Sequence, residues 1–424
     1  MHAIILGAGW AGLASAITLI QNGIKPIILE ASPQAGGRAR EVKWNNIKID
    51  NGQHLLLGAY TEFLNILNLI NPKEFNIDSV LNRLPFELNF YDITHKQFTI
   101  ERKNNFYYKT KGFSLKDKIS SLKFLTRIYF NKILPDSTVE DLLNKTSQTD
   151  NIKYILNNIC SSALTTNTYK SDAKIFRNTL IDSLFKARGY SDLLLPKVSL
   201  SELFVNPACD YIIKNGGVIH YNTRVTDIKT DLNNNKITSI ITNKSEYSTK
   251  YYISALPYFV LNKLIHNIKI PLESEKITTL YIKYKKPPNL PHQITGLINH
   301  HLDFIFDKSL EYPGLISAVS SSNNKFNTYS KSQIFDMAYN EIKNLFPDCD
   351  MVEDYKIITE KFAAYSCNIN SKKIDYKENN PYQNLVLAGD YTYHKYPATL
   401  ESAIRSGILA AEQISCTRSP IVRN

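Results

Sequence analysis

Two glycine-bearing loops near the start of the chain have the residue types and spacing of a phosphate-binding apparatus. The first is Gly7-Ala8-Gly9-Trp10-Ala11-Gly12, with the acid Glu30 and then Ala31 further along. In such a pattern Gly7 permits a tight turn, Gly9 lets a pyrophosphate approach the backbone, and Gly12 lets a helix pack closely on a strand. Glu30 then accepts hydrogen bonds from ribose hydroxyls. The second loop is Gly36-Gly37-Arg38-Ala39-Arg40. Its glycines admit a phosphate or a flavin edge, and Arg38 offers a planar donor fork to a pyrophosphate. Taken alone, each loop also reads as an ordinary glycine turn. A fingerprint that follows a strand, opens a helix and ends in an acid marks dinucleotide binding. The second loop exceeds what NAD requires.

Proton chemistry has two candidates, Asp50 and His54, within Asp50-Asn51-Gly52-Gln53-His54. A histidine with an ordinary pKa of about 6.5 suits a general acid. The competing reading is a packing loop in which His54 is hydrogen-bonded and silent. His300-His301, near Asp303, has the types of metal ligands, but neighbours on a strand point to opposite sides, so these read as solvated surface residues and no metal site is expected. Five scattered cysteines, an odd number with no C-x-x-C pair, exclude zinc-finger spacing and argue against a disulfide framework. A reducing cytoplasm is the expected compartment.

The elements that must position these residues are legible as periodicity. An apolar run over 3–6, a helix over 12–22 stopped by Gly23, and a second buried strand over 26–30 make a βαβ unit with parallel pairing. Further strand signals come at Gly216-Gly217-Val218, at Arg224-Val225 and over 251–256. The last is at 385–388, followed by a helix over 399–414. Helices are also expected over 61–70 and 115–133, strands over 84–100, and a hairpin turn at Asn233-Asn234-Asn235. The fold class that results is α/β: a discontinuous Rossmann-type dinucleotide-binding domain with an inserted α+β substrate domain. The first comprises residues 1–60, 205–270 and 381–415, the second 61–204 and 271–380, with 416–424 as a tail.

The paired loops resemble those of the FAD-dependent amine oxidase and phytoene desaturase superfamily. Within it, the chain is similar nearly end to end to the hydroxysqualene dehydroxylase family of bacterial hopanoid biosynthesis. The most specific segment is Asp50-Asn51-Gly52-Gln53-His54-Leu55-Leu56-Leu57-Gly58-Ala59-Tyr60. Supporting segments are Ser191-Asp192-Leu193-Leu194-Leu195-Pro196, Thr278-Thr279-Leu280-Tyr281, Phe304-Ile305-Phe306-Asp307 and Thr359-Glu360-Lys361. Near the C-terminus stand Leu387-Ala388-Gly389-Asp390-Tyr391-Thr392 and Pro397-Ala398-Thr399-Leu400-Glu401-Ser402-Ala403-Ile404-Arg405-Ser406-Gly407. Residues 160–168 follow the family's pattern only loosely.

The resemblance implies FAD as cofactor and adds residues to its site. These are Gly52 and Gln53, the backbone of Val225 at adenine, Gly389 and Asp390, and the Ala398-Thr399-Leu400 backbone. The chain's own chemistry agrees in part. A helix starting near Thr399 presents free N–H groups, which at the flavin N1–C2=O edge would stabilise the anion formed on reduction. Asp390 suits ribityl hydroxyls or the pyrophosphate region, and on local sequence equally an ordinary turn acid. The implied reaction is reductive removal of the hydroxyl of hydroxysqualene to give squalene. One dinucleotide fingerprint implies an external electron donor. A polyprenoid or carotenoid desaturase running the flavin oxidatively is the alternative within enzymes, and a non-catalytic lipid-binding relative that retains FAD the alternative outside them.

The net charge of +11 is concentrated. Between Lys96 and Lys132 ten basic residues face two acids, a net of +8. There Ser114 can cap a helix with apolar positions Leu115, Ile119, Leu122, Leu125 and Ile128, and Lys116, Lys123, Arg127 and Lys132 between them. Beside Phe106, Tyr107 and Tyr108, this resembles a surface for anionic lipid, which would place the protein peripherally at the inner face of the membrane. A core-facing helix with a solvated lysine face is the competing reading. No recognised nucleic-acid module accompanies the charge, so nucleic acid is not an expected partner.

Overall fold

The computed structural model describes the chain except residues 72–74, 104–107, 232, 266–267, 322–325, 370, 372–379, 381 and 417–424. Phe106, Tyr107, residue 381 and all but the first residue of the expected tail therefore lie outside the described residues.

A five-stranded parallel sheet forms around β1 (His2–Leu6) and β2 (Lys25–Leu29). Its order is Val218–His220, β2, β1, Tyr251–Ser254, Leu385–Leu387, so strands from both ends of the chain lie side by side. Apolar, partly β-branched runs suit β1 and β2 because both faces of such a sheet are covered. Between them runs α1 (Trp10–Gln21), apolar almost all round and buried from Trp10 to Leu19. Gly23, at φ +70°, ends it: its N–H donates to Ile20 and that of Ile24 to Leu19. The helix Leu400–Cys416 packs across α1 at Gly407, where a Cβ would come within 2.2 Å of the Ala11 carbonyl oxygen. Ser15 Oγ donates to that same carbonyl and to Gly407 O.

The second layer is an eight-stranded, mostly antiparallel sheet. Its order is Val352–Tyr365, Ser274–Tyr284, Leu315–Ser321, Phe304–Asp307, Ile294–Ile298, Glu87–Asp92, Gln97–Arg102, Tyr108–Lys111. Helices α3 (Leu115–Tyr129), Val139–Lys145, Asp150–Leu164 and Ala173–Leu184 complete this part. Asn158 ties them to the sheet through bonds to Leu297 O and Asp303 O. Helix α2 (Thr61–Ile70) begins and ends where the periodicity predicts. The three asparagines 233–235 make the expected turn between antiparallel strands Val225–Asp231 and Lys236–Thr242, with Asn235 at φ +47°.

Between the layers runs the hairpin of β3 (Glu41–Trp44) and β4 (Ile47–Asp50), turning at Asn45 with φ +51°. It ends on Asp50 and so delivers the segment Asp50–His54 against the eight-stranded sheet.

Most of the apolar stripe of α3 faces solvent, and the reading of His300 and His301 needs correction. Ser114 caps α3 with a full capping box, but the buried face of the helix is Asp117, Ser120, Phe124 and Ile128. Leu115, Ile119 and Leu122 are exposed, because Asp117 turns inward to bind Thr149 and Asn151 and sets the helix's rotation. His300 and His301 are not on a strand but in the turn after Ile294–Ile298, where both imidazoles face Glu341, at 3.8 and 2.7 Å. A turn abolishes the strand alternation on which opposite orientations depend. His300 is largely buried and His301 stacks on Phe326. Among the described residues no group of three or more His, Cys, Asp or Glu could hold a metal ion.

Candidate cofactor site and buried acid–base cluster

The two glycine loops meet. Gly7, at φ +98°, turns the chain off β1 with its N–H on Leu29 O at 2.8 Å. Gly36 donates to Ala8 O at 2.8 Å and bridges Gly9, while a Cβ on Gly37 would lie 3.2 Å from Gly9 Cα. A Cβ on Gly12 would collide with Gly7 O at 2.0 Å, but one on Gly9 would meet no atom within 4 Å. The fingerprint is therefore sterically closed at Gly12 and open at Gly9, the opening that a pyrophosphate needs. Gly9 is also the N-cap of α1, whose first-turn N–H groups lack intrahelical acceptors.

Glu30 follows β2 and is nearly buried. Its two carboxylate oxygens accept from the N–H of Ala8 (2.7 Å) and of Ser32, next to Ala31 (2.8 Å), leaving lone pairs for further donors. The segment leading to Val225 runs alongside, with Thr223 N–H on Glu30 O at 2.8 Å. The Trp10 side chain serves the join between the two loops. It stacks on Phe204 at 4.3 Å and donates from Nε1 to Ala39 O, fastening α1 to the second loop.

Arg38 and Asp390 join the second loop to the C-terminal motif, Nη2 to Oδ1 at 2.8 Å, and Arg38 Nη1 also donates to the carbonyls of Phe362 and Ala363. Gly389, at φ +143°, is fixed by a bond to Ser406 Oγ. Thr399 Oγ1 accepts from Ser402 N–H and caps the C-terminal helix, leaving the Leu400 and Glu401 N–H groups in its first turn. Ala398 packs against the cluster that contains Leu387 and Tyr391. Glu401 reaches back to accept from the N–H groups of Glu62 and Phe63, both at 3.0 Å, thereby capping α2.

On the inner side of these loops the eight-stranded sheet holds the Asp50–His54 segment. Tyr281 donates to Asp50 O, Thr279 accepts from the N–H of Gln53, and Ser317 donates to Gln53 Oε1 at 2.7 Å. A Cβ on Gly52 would sit 3.7 Å from the Thr279 hydroxyl. The Asp50 carboxylate is buried and accepts from Leu200 N–H at 2.8 Å. Burial pushes it up to about 7, against the opposing pull of Lys308 and of the Leu200 bond. Burial pushes the His54 imidazole down to about 4, with the charges of Lys308 and Arg38 acting in the same direction. His54 is therefore neutral at pH 7, unlike the ordinary histidine assumed from sequence. Its ring makes no hydrogen bond among the described residues. Of the two groups, Asp50 holds the proton near neutrality.

The model of the family described as flavin containing amine oxidoreductase matches residues 10–415. The chain belongs to that family. FAD is its cofactor, and it is an FAD-dependent oxidoreductase. Among its relatives, the chain is 26% identical to the hydroxysqualene dehydroxylase of Zymomonas mobilis over 96% of this chain and 97% of the relative. It is 23% identical to the 15-cis-phytoene desaturase of Arabidopsis thaliana over 98% of this chain and 80% of the relative. Cyclohexylamine oxidase from Brevibacterium oxydans shares the fold, with a TM-score of 0.73 at 13% identity over 98% of this chain and 99% of that one. Gly9's open backbone and the free first-turn N–H groups fit the cofactor of a flavin containing amine oxidoreductase.

Sequence reasoning missed Lys308 and Glu311, a buried ion pair in the turn after Phe304–Asp307. Lys308 is 5% exposed and its charge reaches both Asp50 and His54. The signal was present, since Lys308 directly follows the Phe304-Ile305-Phe306-Asp307 segment, but nothing local marks a lysine as buried. Thr279 and Tyr281 stood only in a segment shared with the resembled family, and nothing in the sequence marked Ser317.

Proposed function

We propose that this chain reductively removes the hydroxyl group of hydroxysqualene to give squalene. The observation that carries the reading is its similarity to the Zymomonas mobilis hydroxysqualene dehydroxylase, which runs through 96% of this chain and 97% of the relative. In this reaction a C–O bond breaks, water leaves, and the carbon gains hydrogen. Held by the residues named below, reduced FAD would supply the two electrons as hydride, and an external donor would restore them. Residues 1–60, 205–270 and 381–415 form the FAD-binding domain, and 61–204 with 271–380 form the substrate domain.

The chain's own residues have distinct tasks. Gly7, Gly9, Gly12, Glu30, Gly36, Gly37 and Arg38 would hold the dinucleotide, with the Val225 backbone at adenine. Gly52, Gln53, Asp390 and the Ala398–Leu400 backbone would surround the flavin. Asp50, with its raised affinity for a proton, stores the proton that departs with the hydroxyl. His54 stays neutral and offers an uncharged N–H to the leaving oxygen. Lys308, paired with Glu311, keeps Asp50 from remaining protonated far above neutrality. The free thiols, four of them buried, suit a reducing compartment.

The deciding experiment is anaerobic: dithionite-reduced holoprotein, hydroxysqualene in detergent, and mass spectrometry of the extract. Squalene formed as the flavin reoxidises is the expected result. Intact substrate over a persistently reduced flavin rejects the reading. The second reading, a polyprenoid desaturase, draws on the similarity to the Arabidopsis thaliana phytoene desaturase over 98% of this chain. It predicts double-bond formation from the oxidised protein in the presence of a quinone.

A further inference from the structure

Helix α3 has two apolar faces, and only one of them is used. Phe124 and Ile128 point into the protein. On the other side Leu115, Ile119, Leu122, Thr126 and Tyr129 recur at steps of four and three, forming one stripe along the helix. Leu115 is 75% exposed, Leu122 65%, Tyr129 55% and Ile119 50%. Beyond the helix, exposed Phe130 and Leu134 extend the stripe. Of the eighteen exposed large hydrophobic side chains among the described residues, six lie between Leu115 and Leu134. Single exposed leucines need no explanation, but a contiguous row marks an interaction surface.

The stripe is rimmed by cations. Exposed Lys116, Lys118, Lys123 and Lys132 and half-covered Arg127 flank it, and among the described residues none of them forms an ion pair. Arg127 Nε, though shielded from water, has no hydrogen-bond partner. An open groove of about 370 Å³ runs among Ile119, Leu122, Lys123, Thr126, Arg127 and Lys132. The sole acid of the helix, Asp117, is buried and spent on the capping box. A second copy of this face would bring like charges together, so self-association is disfavoured. An apolar stripe inside a cationic rim is complementary to an apolar layer covered by negative headgroups.

We propose that this face of α3 docks on anionic lipid bilayers, with Leu115, Ile119, Leu122 and Phe130 entering the interfacial layer and the lysines contacting phosphate headgroups. The docking stands whichever isoprenoid the enzyme takes. No helix among the described residues is long and apolar enough to span a membrane, so the contact is one-sided.

The test is flotation of the FAD-loaded full chain with phosphatidylcholine vesicles with and without phosphatidylglycerol, at low and high salt. Binding is expected only with phosphatidylglycerol and is weakened by salt. Replacing Lys116, Lys118, Lys123 and Lys132 by Gln should lower the partition coefficient by more than about a hundredfold, at roughly fivefold per lysine. L115S/I119S/L122S should abolish flotation, with an unchanged flavin spectrum certifying the fold of these surface variants. Absence of wild-type binding overturns the proposal. So does binding that survives the serine variant, or a concentration-dependent dimer that the serine variant dissolves while vesicle binding persists.

Discussion

Arg38 and Asp390, 352 residues apart in the chain, meet at 2.8 Å and lock the second glycine loop to the start of the C-terminal motif. Asp390 is nearly buried and Arg38 about one-third exposed, so the pair is only partly screened by water. Asp390→Asn keeps the shape and removes the charge. It should weaken FAD retention by about tenfold or more, since an arginine left without its partner drifts from the loop. Flavin fluorescence after ultrafiltration reads this directly, and unchanged retention would mean that the pair is ornamental to the cofactor.

Gly9 and Gly12 should respond oppositely to alanine. Gly9 has extended backbone geometry, φ −73° and ψ 178°, and room for a Cβ. Gly9→Ala should leave apoprotein stability within about 1 kcal/mol of the parent while abolishing FAD binding. Gly12→Ala drives a methyl into Gly7 O at 2.0 Å and should destabilise the apoprotein by about 3 kcal/mol or more. Denaturant melts of both apoproteins beside a flavin titration separate the two effects.

The proton on Asp50 gives the reaction a pH signature. With its carboxyl near 7, the rate of substrate-dependent flavin reoxidation should fall as pH rises through about 7. Asp50→Asn should remove that limb along with most of the activity. A stopped-flow series between pH 6 and 9 is sufficient. A flat wild-type profile would assign the proton to another donor.

Stability should carry the same two groups with opposite signs. Asp50 is raised in the fold, so the folded state binds the extra proton and stability declines as pH rises from the ordinary carboxylate range to about 7. His54 is lowered to about 4, so its contribution is present above the ordinary histidine range and is lost as pH falls towards 4. Asp50→Asn should therefore gain stability over the parent at pH 8, and His54→Gln should lose less than the parent between pH 6 and 4. Thermal melts across that range check both.

Lys308→Met strands Glu311 in the interior and should cost about 3–5 kcal/mol. Adding Glu311→Gln should recover much of that loss. Both variants remove the positive charge that lowers the Asp50 pKa, so the kinetic midpoint should move upward in pH. An unmoved midpoint would show that Lys308 serves packing alone.

The βαβ opening was legible because each of its requirements is local: apolar strands, small residues on α1, and glycines where the chain turns or approaches itself. The same holds for α2 and for the Asn233–Asn235 turn. The orientation of α3 was not legible. Its best apolar stripe is the exposed one, and the deciding contact, Asp117 with Thr149 and Asn151, joins residues more than thirty positions apart. His54 failed for a related reason. Its residue type suggests an ordinary titration, whereas depth and the nearness of Lys308 and Arg38 set the actual one. Burial of Lys308 is likewise a property of the assembled sheet.

The parallel sheet places Leu385–Leu387 beside Tyr251–Ser254, and Gly407 then seats the last helix on α1. A nascent chain emerging from the ribosome thus carries its complete glycine fingerprint long before it owns the strand, the Asp390 carboxylate and the helix that close the same site. A complete cofactor site therefore requires the C-terminal segment. Chains that stop before Leu385 should hold no flavin.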